Sequence, residues 1–291
     1  MTERALSQRW RAHVTGLLLA ALISPQVFAA GPTVDFAVPK GVQVSTFLPL
    51  GNVKPANLSA ATAFDIDPDG LPVFASGAAL KLFGSSRDLL TLGVLAIDDF
   101  AWMRDGRLLF VTQGHLAALS PKGVALGPAL PSPRMHIRPA GDDTAYVFGG
   151  SNESQNHDIY LFKRDRTVAK LASLPVAVTT VAGNETTTFV AAGKMVLRIA
   201  MNEPARSVLQ TQDAVISLET TPQGGLFYST ISAVGYVDRD GSATEFIRGD
   251  GGLLRVRGSR LFVLLSSGDL LRIGPTDGFG AALGSASKPG H

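Results

Sequence analysis

The chain lacks cysteine altogether, since none of its 291 residues is Cys. This absence excludes disulfide bonds, thiol nucleophiles, thiolate metal ligands and a lipid anchor attached to cysteine. Apolar residues make up 45% of the chain, which is enough to build a sizeable buried core. Stability is therefore expected to come from apolar burial and from backbone hydrogen bonds between strands.

The chain also lacks a large excess of charge. It has 26 Lys and Arg against 24 Asp and Glu, and no basic run that would follow a phosphate backbone. Three of the basic residues, Arg4, Arg9 and Arg11, and one acid, Glu3, fall in the first 29 residues, so the remaining chain carries 23 of each sign. We expect no nucleic-acid partner.

A hydrophobic run long enough to span a membrane is missing as well. The apolar run Val14–Ile23 follows the three arginines and is broken by Pro25. It covers about half of the roughly 20 residues that a spanning helix needs. Small residues around Ala29 suit cleavage, so residues 1–29 are predicted to be a secretory signal peptide, with an uncleaved membrane anchor as the alternative. We expect a periplasmic or secreted protein that has no membrane span after cleavage.

What the chain does contain is a repeat. Within Asp98–Gly123, three short apolar runs are separated by an Asp105-Gly106 turn and a break at Gly114, which indicates a meander of three strands. Comparable units occur six times, with turns spaced by 36, 36, 42, 40 and 34 residues at Gly70, Gly106, Asp142, Asn184, Gly224 and Gly258. A period of about forty with four strands per unit predicts an all-β, six-bladed β-propeller. A stacked solenoid or a pair of β-sandwiches is the alternative.

The last unit, Gly252–Pro275, contains only three strand-like runs. Residues 42–50 hold an isolated strand pattern, and we predict that they pair as the outermost strand of that unit, closing the ring. The predicted organisation is a signal peptide (1–29), a closing strand and connection (30–61), the blades (62–275) and a disordered tail rich in Gly, Ala and Ser (276–291).

Two runs, FDIDPDGLPVFASG and FAWMRDGRLLFVTQG, resemble the repeats of six-bladed propellers of the NHL and gluconolactonase-like kind. The third unit, with Gly149-Gly150 and Tyr160, is similar to a kelch repeat but lacks its usual tryptophan. The resemblance implies the propeller fold. For the gluconolactonase-like family it also implies a divalent cation in the central channel, held by a glutamate, asparagines and an aspartate. No set of residues in this chain matches that motif.

In such a ring, the residues that enter the inner strands and the loops between second and third strands share one face, here called the rim face. The candidate binding residues on it are Asp98, Asp99, Gln113, His115, Arg134, His136, Asn152, Glu153, Asn156 and His157. The loop Gly149–Asp158 is the longest and most polar of its class, and we predict that it forms a lip that contacts a ligand. A solvated insertion without a partner is the alternative.

The rim face also suggests a metal site. His115, His136 and His157, with Asp98 or Asp99, could supply nitrogen and carboxylate ligands to one divalent metal ion. The spacing of these histidines is not that of a tight metal motif, so their convergence would depend on the ring geometry. Ordinary histidines that are hydrogen-bonded to backbone or solvent are the alternative.

Charged residues also occur on the predicted inner strands. Asp65 and Asp67 are expected to cap a turn or to make polar contacts, because they share one face of a strand. Glu219 and Arg138 are expected to form a buried pair across blades, which is usually structural but could line the channel.

No nucleophile elbow, phosphate loop or zinc-protease motif occurs in the chain. These absences favour an exported, non-catalytic propeller without a cofactor, which binds a protein or a cell-envelope component on its rim face. The alternative is a metal-dependent hydrolase or lyase of the gluconolactonase-like type that uses one divalent metal ion.

Overall fold

The computed structural model describes residues 34–47, 63–83, 85, 88–94, 96–120, 122–141, 143–149, 157–163, 165–184, 186–200, 203–221, 224–238 and 240–279. Four of the sequence predictions fall outside these ranges. They concern the signal peptide (1–29), the end of the closing strand (48–50), the lip residues Asn152, Glu153 and Asn156, and the tail beyond residue 279.

The described residues form 25 strands in six antiparallel sheets. The first four sheets contain four consecutive strands each: β3(Phe64–Ile66), β4(Pro72–Ser76), β5(Ala79–Leu82) and β6(Asp88–Thr91); β7(Asp99–Trp102), β8(Leu108–Thr112), β9(His115–Ser120) and β10(Gly123–Ala129); β11(Met135–Pro139), β12(Ala145–Gly149), β13(His157–Phe162) and β14(Val168–Leu174); β15(Thr180–Gly183), β16(Thr187–Ala192), β17(Met195–Ala200) and β18(Arg206–Gln210). We number them blades 1 to 4.

The last two sheets recruit the start of the described chain. Blade 5 has five strands, β19(Ser217–Thr220), β20(Leu226–Ser229), β21(Ala233–Val237), β22(Ala243–Arg248) and β1(Asp35–Phe36); blade 6 has β23(Gly252–Arg257), β24(Arg260–Leu265), β25(Leu270–Gly274) and β2(Gln43–Thr46). Inner strands contact one another in the order β3, β7, β11, β15, β19, β23 and back to β3. The six sheets therefore form a closed ring, which confirms the predicted six-bladed propeller.

The predicted closing strand is confirmed where the structure describes it. Val44 of β2 lies opposite Ile273 of β25, and Phe47 donates its N–H to the Leu270 carbonyl. The two residues of β1, which the sequence pattern did not predict, pair with Ile247 and Arg248 at the outer edge of blade 5. The same N-terminal segment thus covers the edges of two neighbouring blades.

Tight turns join the inner and second strands, at the end of the ring called here the turn face. Gly70 and Gly106 have φ of 82° and 84°, which L side chains rarely adopt, so both turns require glycine. Asp67 accepts the N–H groups of Asp69 and Leu71, which confirms its predicted turn-capping role.

Six apolar clusters fill the spaces between neighbouring blades. Between blades 1 and 2, for example, the rings of Phe100 and Trp102 meet edge to face at 5.4 Å, and both side chains are buried. No helix in the described ranges is long and apolar enough to cross a membrane.

The predicted disorder from residue 276 onward is wrong for its first four residues. Thr276 and Phe279 are buried, and residues 277–279 form one helical turn. The Phe279 ring packs 4.8 Å from the ring of Phe246 and 5.0 Å from that of Phe227, within the cluster between blades 5 and 6. A single aromatic side chain can dock a segment that shows no apolar periodicity.

Candidate functional site

The inner strands border the central channel with an edge that has no neighbouring strand, so their backbone N–H groups need other acceptors. Side chains of the preceding blade supply them. Trp102 donates to the Asp65 carboxylate at 2.7 Å, Ile137 to Asp99 at 3.2 Å, and Leu254 to the Ser217 hydroxyl at 3.0 Å. Each of these bonds joins an inner strand to the next inner strand around the channel.

Two arginines lie among these acceptors in the channel. Arg138 Nη1 donates to Asp99 Oδ2 at 2.9 Å, and Arg255 lies 3.6 Å from Asp65 and 3.7 Å from Glu219. The Arg255 guanidinium also lies over the ring of Phe64, 5.7 Å from its centroid. The expected pair of Glu219 with Arg138 is therefore wrong, since Arg138 bonds Asp99 and Glu219 faces Arg255. Partner choice follows from the position of each blade in the ring, which strand patterns do not reveal.

Both arginines keep an unused donor. Arg255 is 4% exposed and Arg138 is 9% exposed, and Nη2 of Arg255 and Nε of Arg138 have no hydrogen-bond partner in the part of the chain that the structure describes. The two carboxylates near Arg255 are beyond ordinary hydrogen-bond distance. Both side chains therefore keep hydrogen-bonding capacity that the described residues do not use.

The channel shifts the pKa values of its acids in different directions. Burial raises the pKa of Glu219 to about 7, and the Asp65 carboxylate adds to the rise while Arg255 opposes it. Burial also raises the pKa of Asp65. Burial alone would raise the pKa of Asp99 too, but the Arg138 guanidinium and the His136 hydrogen bond outweigh it and hold this pKa well below its usual range. The cluster thus contains one firmly ionised carboxylate and two that take up protons more readily.

A cavity of about 570 Å³ contains this cluster and lies toward the turn face. Asp65, Arg138, Glu219 and Arg255 line its wall, and turn residues such as Gly106 and Gly258 line its mouth. Arg104 and Arg257 also border the cavity. The volume suits a small molecule rather than a protein segment.

The rim face is built as the sequence analysis expected. Asp250, before the inner strand of blade 6, accepts hydrogen bonds from the backbone of Ser266 and Ser267 in the loop between the second and third strands. Asp213 of blade 5 likewise accepts from the Ser232 hydroxyl at 2.6 Å. Strand entries and second-to-third loops therefore share one face of the ring.

Only some of the predicted rim residues come together. His136 Nδ1 lies 3.1 Å from Asp99 Oδ2, whereas His115 contacts the carbonyl of its neighbour Gln113. Arg134 begins the third blade with φ of 59°, and Asp98 donates its N–H to the Val111 carbonyl. These residues remain candidates for rim-face binding.

The histidines do not form a common ligand set. His136 lies on the inner strand of blade 3, His115 on the third strand of blade 2, and His157 on the third strand of blade 3 opposite Leu174. Among the described residues, no group of three or more His, Asp or Glu side chains could hold one metal ion. The suggested site of His115, His136 and His157 is thus not assembled in this structure.

Solved structures similar to this chain include a gluconolactonase from Xanthomonas campestris, with a TM-score of 0.61 and 15% identity over 85% of this chain and 98% of that one. A putative gluconolactonase has a TM-score of 0.58 and 13% identity over 83% of this chain and 97% of that one. Virginiamycin B lyase from Staphylococcus aureus has a TM-score of 0.51 and 9% identity over 80% of this chain and 99% of that one. The chain is a six-bladed β-propeller. At these identities the likeness shows the propeller fold alone, and neither a family model nor a curated protein matches the chain.

The sequence analysis missed the main feature of this propeller, the paired arginines of the channel. Arg255 was not singled out, and Asp65 was expected only to cap a turn or make a polar contact. A usable signal was present, because the inner strands FDI, MHIRP and SLET each carry one acidic side chain or arginine near their turn end, and GLLRVR carries two arginines there. A charge at that position on several inner strands predicts a charged channel.

Proposed function

We propose that this chain is an exported, non-catalytic binding propeller whose ligand is a small anion, held in the channel cavity by Arg138 and Arg255. One observation carries the proposal: each arginine is buried, lines the cavity and keeps one guanidinium nitrogen without a hydrogen-bond partner among the described residues. A buried donor without a partner costs about 1–3 kcal/mol. An oxygen of a bound carboxylate or phosphate would remove that cost.

The chemistry of the cavity favours an anion over a neutral ligand. Guanidinium groups hold carboxylates and phosphates through paired, charge-assisted hydrogen bonds. When Glu219 is protonated, below a pH of about 7, Arg255 loses one of its two nearest carboxylate counter-charges. Binding is therefore expected to strengthen as Glu219 takes up a proton and to weaken at higher pH.

The export part of the proposal rests on the predicted signal peptide, residues 1–29. A periplasmic or secreted propeller would meet small acids of the envelope or medium directly. The rim face, with Asp99 and His136 in contact, is a separate candidate surface for a protein or cell-envelope component.

The anion proposal is tested by calorimetric titration of the mature chain with inorganic phosphate and with acetate at pH 6. We expect binding that weakens roughly 10-fold or more in Arg255→Met, since a charge-assisted hydrogen bond contributes about 1.5–3 kcal/mol. Arg255→Lys keeps the charge without the planar fork and should bind at an intermediate level. Arg248→Met, at an exposed position on β22, is the matched control and should bind as the unaltered chain does.

Circular dichroism establishes that each variant is folded before it is titrated. Equal binding by the unaltered chain and a folded Arg255→Met variant would overturn the proposal, as would failure of the unaltered chain to bind either anion.

One observation favours a hydrolase or lyase as a second candidate. A carboxyl group with a pKa of about 7 in a cavity is suited to general acid–base catalysis, and Glu219 is such a group. Gluconolactonase structures are among the similar propellers. Turnover of a simple lactone, with and without added divalent metal, in the unaltered chain and in Glu219→Gln tests this candidate. Turnover that is lost in the variant would support it.

A further inference from the structure

A second cavity, of about 560 Å³, lies between blades 4 and 5 on the turn face. We call it the interblade groove. Arg104, Gly183 and Thr220 line both the channel cavity and the groove, so the two spaces share a wall and adjoin. A ligand that fills the channel cavity therefore has a neighbouring space to extend into.

The inner strand of blade 4, next to the groove, consists of small residues. Its residues are Thr180, Val181, Ala182 and Gly183, and none is charged, unlike the inner strands that carry Asp65, Arg138, Glu219 and Arg255. A β-carbon at Gly183 would lie 2.2 Å from the Thr187 carbonyl oxygen, so this position admits only glycine. The inner strand that lacks a charged side chain thus borders the groove, through Gly183.

The groove differs from the channel in its chemistry. Phe189 and Val208 of blade 4 and Leu226 and Val237 of blade 5 contribute apolar side chains to it, and Phe189 and Val208 are only partly buried. Three charged residues, Arg104, Arg198 and Asp238, also line it. The channel cavity carries the buried side chains of Arg138 and Arg255 and the carboxylates of Asp65 and Glu219. One space thus suits an anionic group and the adjoining space suits a hydrocarbon or aromatic body.

We propose that the ligand is an amphiphilic acid, with its carboxylate or phosphate group on Arg138 and Arg255 and its apolar body in the interblade groove. This inference rests on the proposed anion site. It adds the substrate class: an acid with an apolar body of several carbon atoms binds more tightly than the bare anion. Partial exposure of Phe189 and Val208 is then explained by the ligand that covers them.

The test compares butyrate with octanoate by calorimetry at pH 6, below the critical micelle concentration. Each methylene that enters the groove should tighten binding by up to about four-fold, which corresponds to about 0.8 kcal/mol per buried methylene. Octan-1-ol, which has the same chain without the charge, should bind much more weakly than octanoate.

Variants separate the two halves of the site. Val208→Phe fills the groove and should abolish the preference for octanoate while butyrate still binds, which also shows that the variant is folded. Val176→Phe, at an exposed position outside both cavities, is the matched control and should keep the preference. Arg255→Met should weaken both acids.

The outcomes are distinguishable. If the unaltered chain binds neither acid, the anion site itself fails and this inference fails with it. If butyrate and octanoate bind equally, or if Val208→Phe and Val176→Phe behave alike, the anion site stands and the groove is not part of it. If octan-1-ol binds as well as octanoate, the groove binds apolar molecules without help from the arginines.

Discussion

Asp99 receives four donors in the described structure, and it is the residue through which blades 2 and 3 are joined at the channel. Its carboxylate accepts from the backbone of Phe100 and Ile137, from Arg138 Nη1 and from His136. Asp99 is 1% exposed, so the charge of its carboxylate is balanced by Arg138 rather than by water. Its loss would leave the buried Arg138 guanidinium without its hydrogen-bonded counter-ion.

We therefore expect Asp99→Asn to lower the free energy of unfolding by about 3–5 kcal/mol, the range measured when one partner of a buried ion pair is removed. Urea unfolding at pH 7 measures the change. Asp105→Asn is the matched control, because Asp105 pairs with Arg107 on the exposed turn, where such a pair contributes about 0–1 kcal/mol. Equal effects of the two substitutions would show that the channel pair carries no special stability.

Glu219 makes stability depend on pH in the opposite sense to an ordinary ion-paired acid. Its native pKa is about 7, whereas a free glutamate titrates near 4.5. Between these two values the unfolded chain releases the proton and the native chain keeps it, so stability falls as pH rises through this window. The slope for one proton is at most about 1.4 kcal/mol per pH unit.

Glu219→Gln should remove this slope, because an amide has no proton to lose and its carbonyl can still accept the N–H of Val256. The variant should be more stable than the unaltered chain at pH 8 and close to it at pH 4.5, as measured by urea unfolding at both values. Glu245→Gln, at an exposed site on β22, is the matched control for the removal of one glutamate. A Glu219→Gln profile parallel to that of the unaltered chain would contradict the assignment.

At the residue scale, local roles were predictable from sequence and partners across the ring were not. Asp67 caps its own turn two and four residues onward, and a dipeptide pattern contains that information. Asp65 and Trp102 are 37 residues apart and meet only because neighbouring inner strands lie side by side. The pairing of Arg255 with Asp65 and Glu219 depends on the same ring geometry.

At the element scale, the closing strand β2 determines whether blade 6 is complete. The Phe47 N–H donates to the Leu270 carbonyl across this antiparallel pair. Because hydrogen-bonded pairs alternate along such a ladder, Ser45, two residues earlier and opposite Arg272, is also at a hydrogen-bonded position. Ser45 itself is exposed, and its side chain makes only a long hydrogen bond of 3.3 Å to the Arg272 carbonyl. The backbone at this position therefore matters more than the side chain.

Ser45→Pro removes a ladder donor and should destabilise the protein on the order of 2 kcal/mol, with faster proteolysis of blade 6. Ser45→Ala keeps the ladder and should change stability by less than about 0.5 kcal/mol. Thermal unfolding of the two variants measures the difference. If Pro and Ala have the same effect, β2 is not needed to hold the ring.

Strands and their turns were predictable because alternation and Asp-Gly turns are local features. The strands of blades 1 and 2 fall where the apolar runs and the turns at Gly70 and Gly106 indicated. Two short elements were missed: the pair of residues in β1, and the helical turn that buries Phe279. Both are too short to show a periodic sequence pattern. Each is held in place by packing, β1 against the edge of blade 5 and Phe279 against the apolar core.

At the scale of the whole molecule, the repeat period determined the fold and directed attention to the rim face rather than to the channel cavity. Counting units predicted six blades and the need for a closing strand. The channel cavity lies toward the turn face instead, and its arginines come from blades 3 and 6. Repeats report what the blades share, whereas the channel depends on where they differ.

Export of the whole chain is a prediction that rests on residues 1–29. When the full-length gene is expressed in a bacterium, we expect the protein in the periplasmic fraction. Its intact mass should be that of a chain that begins at Ala30. Deletion of residues 2–29 should leave it in the cytoplasm, since the signal is removed. A full-length mass in the membrane fraction would favour the uncleaved anchor.

The N-terminal segment and Phe279 lie close enough together for the chain to be circularly permuted. Val34 and Phe279, at the two ends of the described chain, pack in the same apolar cluster between blades 5 and 6. A circular permutant could join the chain by a short linker at this point and reopen it in another connection, for example between blades 3 and 4. Each blade would then keep its neighbours, so the folded ring would not depend on which blade is synthesised first.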